Sequence, residues 1–128
     1  MVLNHKTALD YVLQSPEYFR QLSVSKIEEV HRLLTSGLQV ASGIRQGMVG
    51  IVGTNYRPLD NNYQIKEALQ HLISTVNQTE NPVEKALVAV LMIAYIQPFE
   101  DGNKRTSRIL GNALLLADDY CPLSYRSV

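Results

Sequence analysis

The sequence has one cysteine, no net charge and no apolar run long enough to cross a membrane. Cys121 cannot form an intramolecular disulfide by itself, and His5 and Lys6 stand where a secretory leader would need an apolar core. We therefore expect a cytoplasmic protein. Twelve Lys and Arg residues balance twelve Asp and Glu residues, so neither nucleic acid nor a membrane surface is an expected partner. The longest apolar run, Ala86–Ile96, is far shorter than the roughly 20 residues of a membrane-spanning helix and is interpreted as a buried core helix.

The length predicts one domain. A chain of 128 residues with 45% hydrophobic content can bury one small core. No internal repeat, low-complexity tract or linker divides it, so residues 1–128 are expected to form a single domain core. The sequence leaves open whether this core is a fragment of a longer chain.

The first half of the chain predicts two helices. Apolar residues keep helical spacing up to Ser15, where a proline follows. A second helix is expected to begin at Ser23 or Ser25, because the spacing of Ser25 and Glu28 matches a capping box. Its apolar stripe ends near Gly37.

The second half predicts three more helices. Ile65–Val76 is strongly periodic. Asn81 and Pro82 have the residue types of an N-cap and a first helical position, and that helix should run to about Ile96. A further helix is expected over Asn103–Leu115. Between the two halves, residues 43–58 contain four glycines around a short β-branched run, which predicts a small hairpin or flap.

A polar loop separates the last two helices. The segment Gln97–Arg108 carries five charged side chains, a glycine and an asparagine. Backbone N–H groups of a turn at Gly102, continuing into the free N–H groups of the next helix, would form a nest for an anion such as phosphate. Arg105 and Arg108 are three residues apart, so both could contact the same group of phosphates.

Two carboxylates accompany this basic cluster. Asp101 is the better candidate, and Glu100 the weaker one, to hold a Mg²⁺ ion that nucleotide phosphates also bind. The alternative is that Asp101 caps the following helix while the arginines pair with surface carboxylates. The residues by themselves leave both interpretations open.

The order of the residues in this loop resembles the signature of the Fic family, His-x-Phe-x-(Asp/Glu)-Gly-Asn-Gly-Arg-x-x-Arg. The matching positions are Phe99, Asp101, Gly102, Asn103, Arg105 and Arg108. The glycine-rich segment at residues 43–59 also resembles the flap of that family, and the resemblance covers nearly the whole chain. It implies an all-α, Fic-type helical bundle with a small β-hairpin flap.

The resemblance also implies residue roles. Asp101 would bind Mg²⁺, and the arginines would hold the terminal phosphates of ATP or another nucleotide. The phosphate-binding residues would be Gly102, Asn103, Lys104, Arg105 and Arg108. A flap would align a protein target bearing a Ser, Thr or Tyr hydroxyl by strand addition. Its residues here would be Met48, Val49, Gly50, Ile51, Val52 and Gly53.

Two positions depart from the signature. Gln97 replaces the histidine that acts in the family as general base, and an amide cannot accept a proton near neutral pH. Loss of general-base assistance typically lowers a rate by about 10² to 10⁴. Lys104 replaces a glycine, and the resulting Gly-Asn-Lys-Arg order resembles a Doc-like branch that transfers a phosphoryl group.

Other residues are poor candidates for the missing base. His5, His31 and His71 lie in or near predicted helices outside the loop, where a histidine is more often a packing or surface residue than a catalyst. Tyr95 and Tyr56 are near the loop and the flap in sequence, but packing with a hydrogen-bonded hydroxyl is the expected role.

Three functions therefore remain. The first is a Fic-type transferase that moves AMP from Mg-ATP to a protein hydroxyl, impaired or altered by Gln97. The second is a catalytically inactive, nucleotide-sensing or protein-interaction module, and the third is a Doc-like phosphotransferase. A homo-oligomer is compatible with each of them. The inhibitory helix pattern Ser/Thr-x-x-x-Glu-Gly/Asn, common in the family, is absent from these residues.

Overall fold

The fold is known from a computed structural model that describes residues 2–41, 43–46 and 61–122. These residues form α1 (Val2–Gln14), a 3₁₀ helix (Pro16–Arg20), α2 (Val24–Thr35), α3 (Asn62–Gln78), α4 (Pro82–Ile96) and α5 (Asn103–Ala117). No β-strand occurs in these ranges, and the predicted all-α class is confirmed. The expected flap, Met48–Gly53, and Tyr56 lie outside the described residues.

Asparagine side chains cap the starts of α3 and α4. The Asn61 side chain accepts a hydrogen bond from the backbone N–H of Gln64 at 2.8 Å. The Asn81 side chain accepts from Val83 N–H at 2.9 Å and from Glu84 N–H at 3.1 Å. These bonds satisfy N–H groups that have no partner inside the helix. The predicted helix start at Asn81 and Pro82 is confirmed.

The start of α2 settles the choice between two serines. Ser23 is the N-cap, and its Oγ accepts from Lys26 N–H at 3.3 Å. Ser25 instead lies inside the first turn, so the capping box predicted from Ser25 and Glu28 is wrong. The helix ends at Thr35, close to the predicted end.

The segment after α1 remains helical, which the sequence pattern did not predict. Pro16 begins the 3₁₀ helix instead of ending helical structure, because proline is tolerated in a first helical turn. Phe19 is fully buried and meets Tyr11 edge-on, with ring centroids 6.1 Å apart. Arg20 Nε donates to Ala117 O at 3.1 Å. This segment therefore holds the α1–α2 connection against the end of α5.

The core is organised around α5, which packs against α1, α2, α4 and the 3₁₀ helix. Its buried residues follow one another almost without interruption from Ile109 to Leu115. The central position of α5 places its N-terminus, and the preceding loop, between α4 and α2. The loop therefore stands on a rigid, buried helix.

Helix α4 is buried on one side only. Ile93 and Ile96 are fully buried, but Leu87, Leu91 and Tyr95 are 56%, 59% and 54% exposed. The expectation that the whole apolar run is a buried core helix is therefore wrong within the described residues, whereas the packing role of Tyr95 stays a prediction. Helix α4 has apolar side chains on all of its faces, but among the described residues only the face toward α3 and α5 is covered. Within the described ranges, every helix is too short or too polar to span a membrane.

Candidate functional site

The candidate site begins with a sharp turn at Gln97, directly after α4. Gln97 has φ 51° and ψ 60°, a left-handed conformation that residues other than glycine adopt infrequently. Its backbone N–H donates to Ile93 O at 2.8 Å, and its side-chain Nε2 donates to Ala94 O at 2.8 Å. Its Oε1 accepts from Asn103 Nδ2 at 3.1 Å. Both ends of the side-chain amide are therefore engaged within the protein.

The Asn103 side chain closes the loop from inside. Asn103 is the first residue of α5 and is 5% exposed. Its Oδ1 accepts from Phe99 N–H at 2.9 Å, while Nδ2 donates to Phe99 O at 2.8 Å and to Gln97 Oε1. One amide side chain thus bonds both backbone polar groups of Phe99, and it fixes the spacing between the end of α4 and the start of α5.

Gly102 forms the N-terminal end of α5. Its φ of 82° lies in the left-handed region, where glycine carries no steric penalty, and no side chain caps the helix. A Cβ at this position would lie 3.4 Å from Thr35 Cγ2, 3.5 Å from His31 Cδ2 and 3.6 Å from Arg105 Nη2. The Asp101 carboxylate accepts from Gly102 N–H at 2.8 Å. The alternative in which Asp101 is the helix cap is therefore wrong, because Gly102 occupies that position.

His31 reaches the same loop from α2. Its ring stacks on Phe99 with centroids 3.8 Å apart and an angle of 5° between the planes, and Nε2 donates to Asp101 O at 2.8 Å. The other ring nitrogen, Nδ1, is buried without a hydrogen-bond partner among the described residues. Burial lowers the pKa of His31 below its usual value of 6.5. A neutral ring protonated at Nε2 matches these contacts.

The contacts of His31 with the loop differ from the expectation that this residue lies outside the site. The prediction that it serves packing agrees with its stacking, but the partner is the loop itself. A signal was present, since His31 falls on the buried stripe of α2 with Ile27 and Leu34. His5 and His71 are exposed, in agreement with a surface role.

Arg45 is a second residue that sequence reasoning missed. Its side chain is 2% exposed, which is rare for a cation. Arg45 Nε donates to Gln97 O at 2.6 Å, Nη2 donates to Ile96 O at 3.2 Å, and the backbone N–H donates to Pro98 O at 2.9 Å. The residues next to Arg45 in the sequence do not predict these contacts, because the partners lie more than fifty residues away along the chain.

The structure brings most of the predicted charged residues to the rim of the loop. Asp101 and Lys104 are exposed, while Arg105 and Arg108 are half-buried in the first two turns of α5. The Arg105 guanidinium lies beside Gly102, so one cation adjoins the uncapped helix end. Glu100 is exposed, and no contact distinguishes it as a ligand.

The residues fit a metal ion only if a nucleotide also binds it. No group of three or more His, Cys, Asp or Glu side chains that could hold a metal occurs within the described ranges. Asp101 offers an exposed carboxylate with one oxygen bonded to Gly102 N–H. Mg²⁺ is commonly held by one or two carboxylates, with phosphate oxygens and water as further ligands. Asp101 therefore suits a Mg²⁺–nucleotide complex better than a bare ion.

Comparison with known proteins matches this chain to one family. A model of the Fic/DOC family matches residues 21–115. The protein adenylyltransferase fic-1 of Caenorhabditis elegans is 26% identical over 106 residues, which are 80% of this chain and 21% of that protein. The protein adenylyltransferase Fic of Drosophila melanogaster is 30% identical over 125 residues, which are 95% of this chain and 25% of that protein. The chain thus spans about a quarter or less of these relatives.

Solved structures give the same result for the fold. A Fic domain-containing signaling protein from Bacteroides thetaiotaomicron superposes with a TM-score of 0.74 at 25% identity, covering 91% of this chain and 47% of that one. Fic-1 from C. elegans superposes with a TM-score of 0.69 at 25% identity, covering 90% of this chain and 36% of that one. The helices that carry the loop therefore have the arrangement found in solved Fic proteins.

Proposed function

The chain belongs to the Fic/DOC family, and on that premise we propose that it is a nucleotide-binding core for transfer of AMP from Mg-ATP to a protein hydroxyl. Two relatives carry the name protein adenylyltransferase, which supports this choice of reaction. The exposed, unpaired Cys121 fits a reducing compartment, and we place the function in the cytoplasm.

The start of α5 is the observation on which this proposal rests. Gly102 is in the left-handed region, and no side chain caps the helix that follows. The first N–H groups of a helix, together with the positive end of its dipole, attract anions. Arg105 adds a guanidinium beside that end, and Arg108 is one turn further along the helix. We assign the phosphates of the nucleotide to this position.

Asp101 has the role of metal ligand in the proposal. Mg²⁺, when bound, would neutralise part of the phosphate charge. Asp101 is held for this purpose at both its backbone and its side chain, since its carbonyl accepts from His31 and its carboxylate accepts from Gly102 N–H. The Asn103 side chain is occupied inside the loop, so we assign its phosphate contact to the backbone N–H.

Gln97 limits the transfer step. In AMP transfer, the target hydroxyl oxygen forms a bond to the α-phosphorus, the bond to pyrophosphate breaks, and the hydroxyl proton must leave. The Gln97 amide cannot take that proton, and both its ends already bond to Ala94 and Asn103. Solvent must accept the proton instead, and we expect a rate lower by about 10² to 10⁴ than with a general base.

The same contacts of Gln97 favour a second candidate function. The Gln97 side chain, which is hydrogen-bonded at both ends of its amide, has a structural role in the loop that requires no catalysis. Such a role suits a catalytically inactive, nucleotide-sensing module. Doc-like phosphoryl transfer is a third candidate function, because Lys104 is exposed next to the proposed phosphate position and gives the loop its resemblance to the Doc-like branch. Target docking at Met48–Gly53 remains a prediction from the resemblance.

Calorimetric titration with Mg-ATP tests the phosphate site. We expect saturable binding, and binding weaker by about 10-fold to 100-fold in Arg105→Ala, because a charge-assisted hydrogen bond contributes about 1.5–3 kcal/mol. Arg32→Ala is the matched control, since it removes an exposed arginine of α2 that does not belong to the loop or to α5. Equal affinity in all three proteins, or no binding by the wild type, contradicts the proposed site.

Gln97→His tests the transfer reaction. We expect the variant to attach AMP to itself or to an added protein when incubated with Mg-ATP, while the wild type does so far more slowly. Intact-mass spectrometry separates an adenylyl adduct from a phosphoryl adduct, and thereby the first candidate from the Doc-like one. Nucleotide binding without any adduct in either protein would favour the sensing module.

A further inference from the structure

Arg45 is the one fully buried cation that the described helices enclose, and it belongs to none of the positions of the signature. Removing a guanidinium from water is unfavourable unless hydrogen bonds compensate. Two hydrogen bonds of its side chain go to the carbonyls of Ile96 and Gln97. These carbonyls stand at the C-terminal end of α4, where the last carbonyls lack partners within the helix and the dipole favours a positive charge.

The backbone of Arg45 completes the attachment. Its N–H donates to Pro98 O at 2.9 Å, so the carbonyls of Ile96, Gln97 and Pro98 all accept hydrogen bonds from one residue. Its own carbonyl accepts from Asn62 Nδ2 at 3.2 Å, in the first turn of α3. Arg45 is thereby fixed to α3 while it holds the start of the loop.

This attachment acts on the most unfavourable backbone conformation of the loop. Gln97 is left-handed, a conformation that costs an L-residue other than glycine roughly 1–2 kcal/mol. Such a turn persists only when its surroundings impose it. The turn also sets where the Gln97 side chain meets Asn103, which in turn bonds both polar groups of Phe99.

We propose that Arg45 is a positioning residue, which holds the turn at Gln97 and so sets the loop geometry for nucleotide phosphates. The phosphate part rests on the proposed function, whereas the part concerning the turn does not. Arginine is required because a lysine would keep the charge but lose the fork that reaches two successive carbonyls.

Hydrogen exchange of single amides tests the turn without any nucleotide. In Arg45→Lys we expect the amides of Gln97 and Phe99 to exchange about tenfold faster or more, as in a local opening, while those in the middle of α5 keep their protection. Leu69→Ala is the matched control, because Leu69 is fully buried about two turns along α3 from Asn62. It should lower overall stability without selectively exposing Gln97 and Phe99.

Mg-ATP titration of the same proteins tests the consequence for binding. At a temperature where all remain folded, Arg45→Lys should bind about tenfold more weakly than wild type, and Leu69→Ala within about twofold. Unchanged exchange at Gln97 and Phe99, an equal effect of Leu69→Ala, or global unfolding of Arg45→Lys would overturn the proposal. Faster exchange with unchanged affinity would refute the phosphate part alone, and absence of binding by the wild type would count against the proposed function instead.

Discussion

Removal of the Asn103 side chain should open the loop and destabilise the protein measurably. The side chain is 5% exposed and makes three hydrogen bonds, two to the backbone of Phe99 and one to Gln97 Oε1. In Asn103→Ala, the N–H and the carbonyl of Phe99 would lose these partners inside a buried loop. Because Phe99 is fully buried, water can replace these partners only after a rearrangement of the loop.

The expected loss follows from these bonds. A neutral hydrogen bond contributes about 0.5–1.5 kcal/mol, and a buried group left without a partner costs about 1–3 kcal/mol. The higher helix propensity of alanine returns about 0.5 kcal/mol. We therefore expect the free energy of unfolding to fall by about 2–4 kcal/mol, which is large for a single substitution.

Urea denaturation followed by circular dichroism measures this change. Asn103→Asp is the informative comparison, because a carboxylate can still accept from Phe99 N–H but cannot donate to Phe99 O or Gln97 Oε1. We expect it to be destabilised as well, and to bind Mg-ATP more weakly through the added negative charge. A free energy of unfolding for Asn103→Ala within about 0.5 kcal/mol of the wild type would refute this account of the loop.

Two further predictions concern the residues that surround this loop. Burial lowers the pKa of His31 in the folded protein, so the unfolded chain binds the proton more readily. The free energy of unfolding should therefore fall as the pH drops below about 6.5, by at most about 1.4 kcal/mol per pH unit. Urea denaturation from pH 7.5 to 5 measures this pH dependence, which should be weaker in His31→Gln. An equally steep pH dependence in that variant contradicts the assignment to His31. In Gly102→Ala the free energy of unfolding should fall by about 1–2 kcal/mol, because φ at this position is 82°. Steric contact adds little to this loss, since the atoms nearest to an added Cβ lie at ordinary contact distances. A thermal melt measures that loss, and a melting temperature equal to the wild type would show that the turn relaxes without strain.

Local chemistry was enough to predict most of the helices. An asparagine followed by a proline suits the N-cap and the first position of a helix, and α4 begins there. Periodic apolar residues predicted α3, because a 3.6-residue repeat places them on one buried face. The choice between Ser23 and Ser25 could not be made, since both hydroxyls can cap a helix and only the packed chain decides which does.

The positions of the candidate site were predictable because they are contiguous. Asp101, Gly102 and Arg105 lie within one turn and the start of one helix, and the structure places them together at the end of α5. Their roles toward a nucleotide remain predictions. That Gln97 is bonded at both ends of its amide could not be predicted, because the bond to Asn103 depends on the angle at which α5 leaves the loop.

Spacing and capping are local properties, so the helical class, the polar loop between α4 and α5 and the residue types of that loop could be predicted from the amino-acid sequence. The contacts that hold the loop depend on how the helices pack. His31 lies 70 residues from Asp101, and Arg45 lies 52 residues from Gln97; each bonds a backbone carbonyl. A carbonyl is the same in every residue, so no pattern of side chains along the chain can mark which one a distant histidine or arginine will reach.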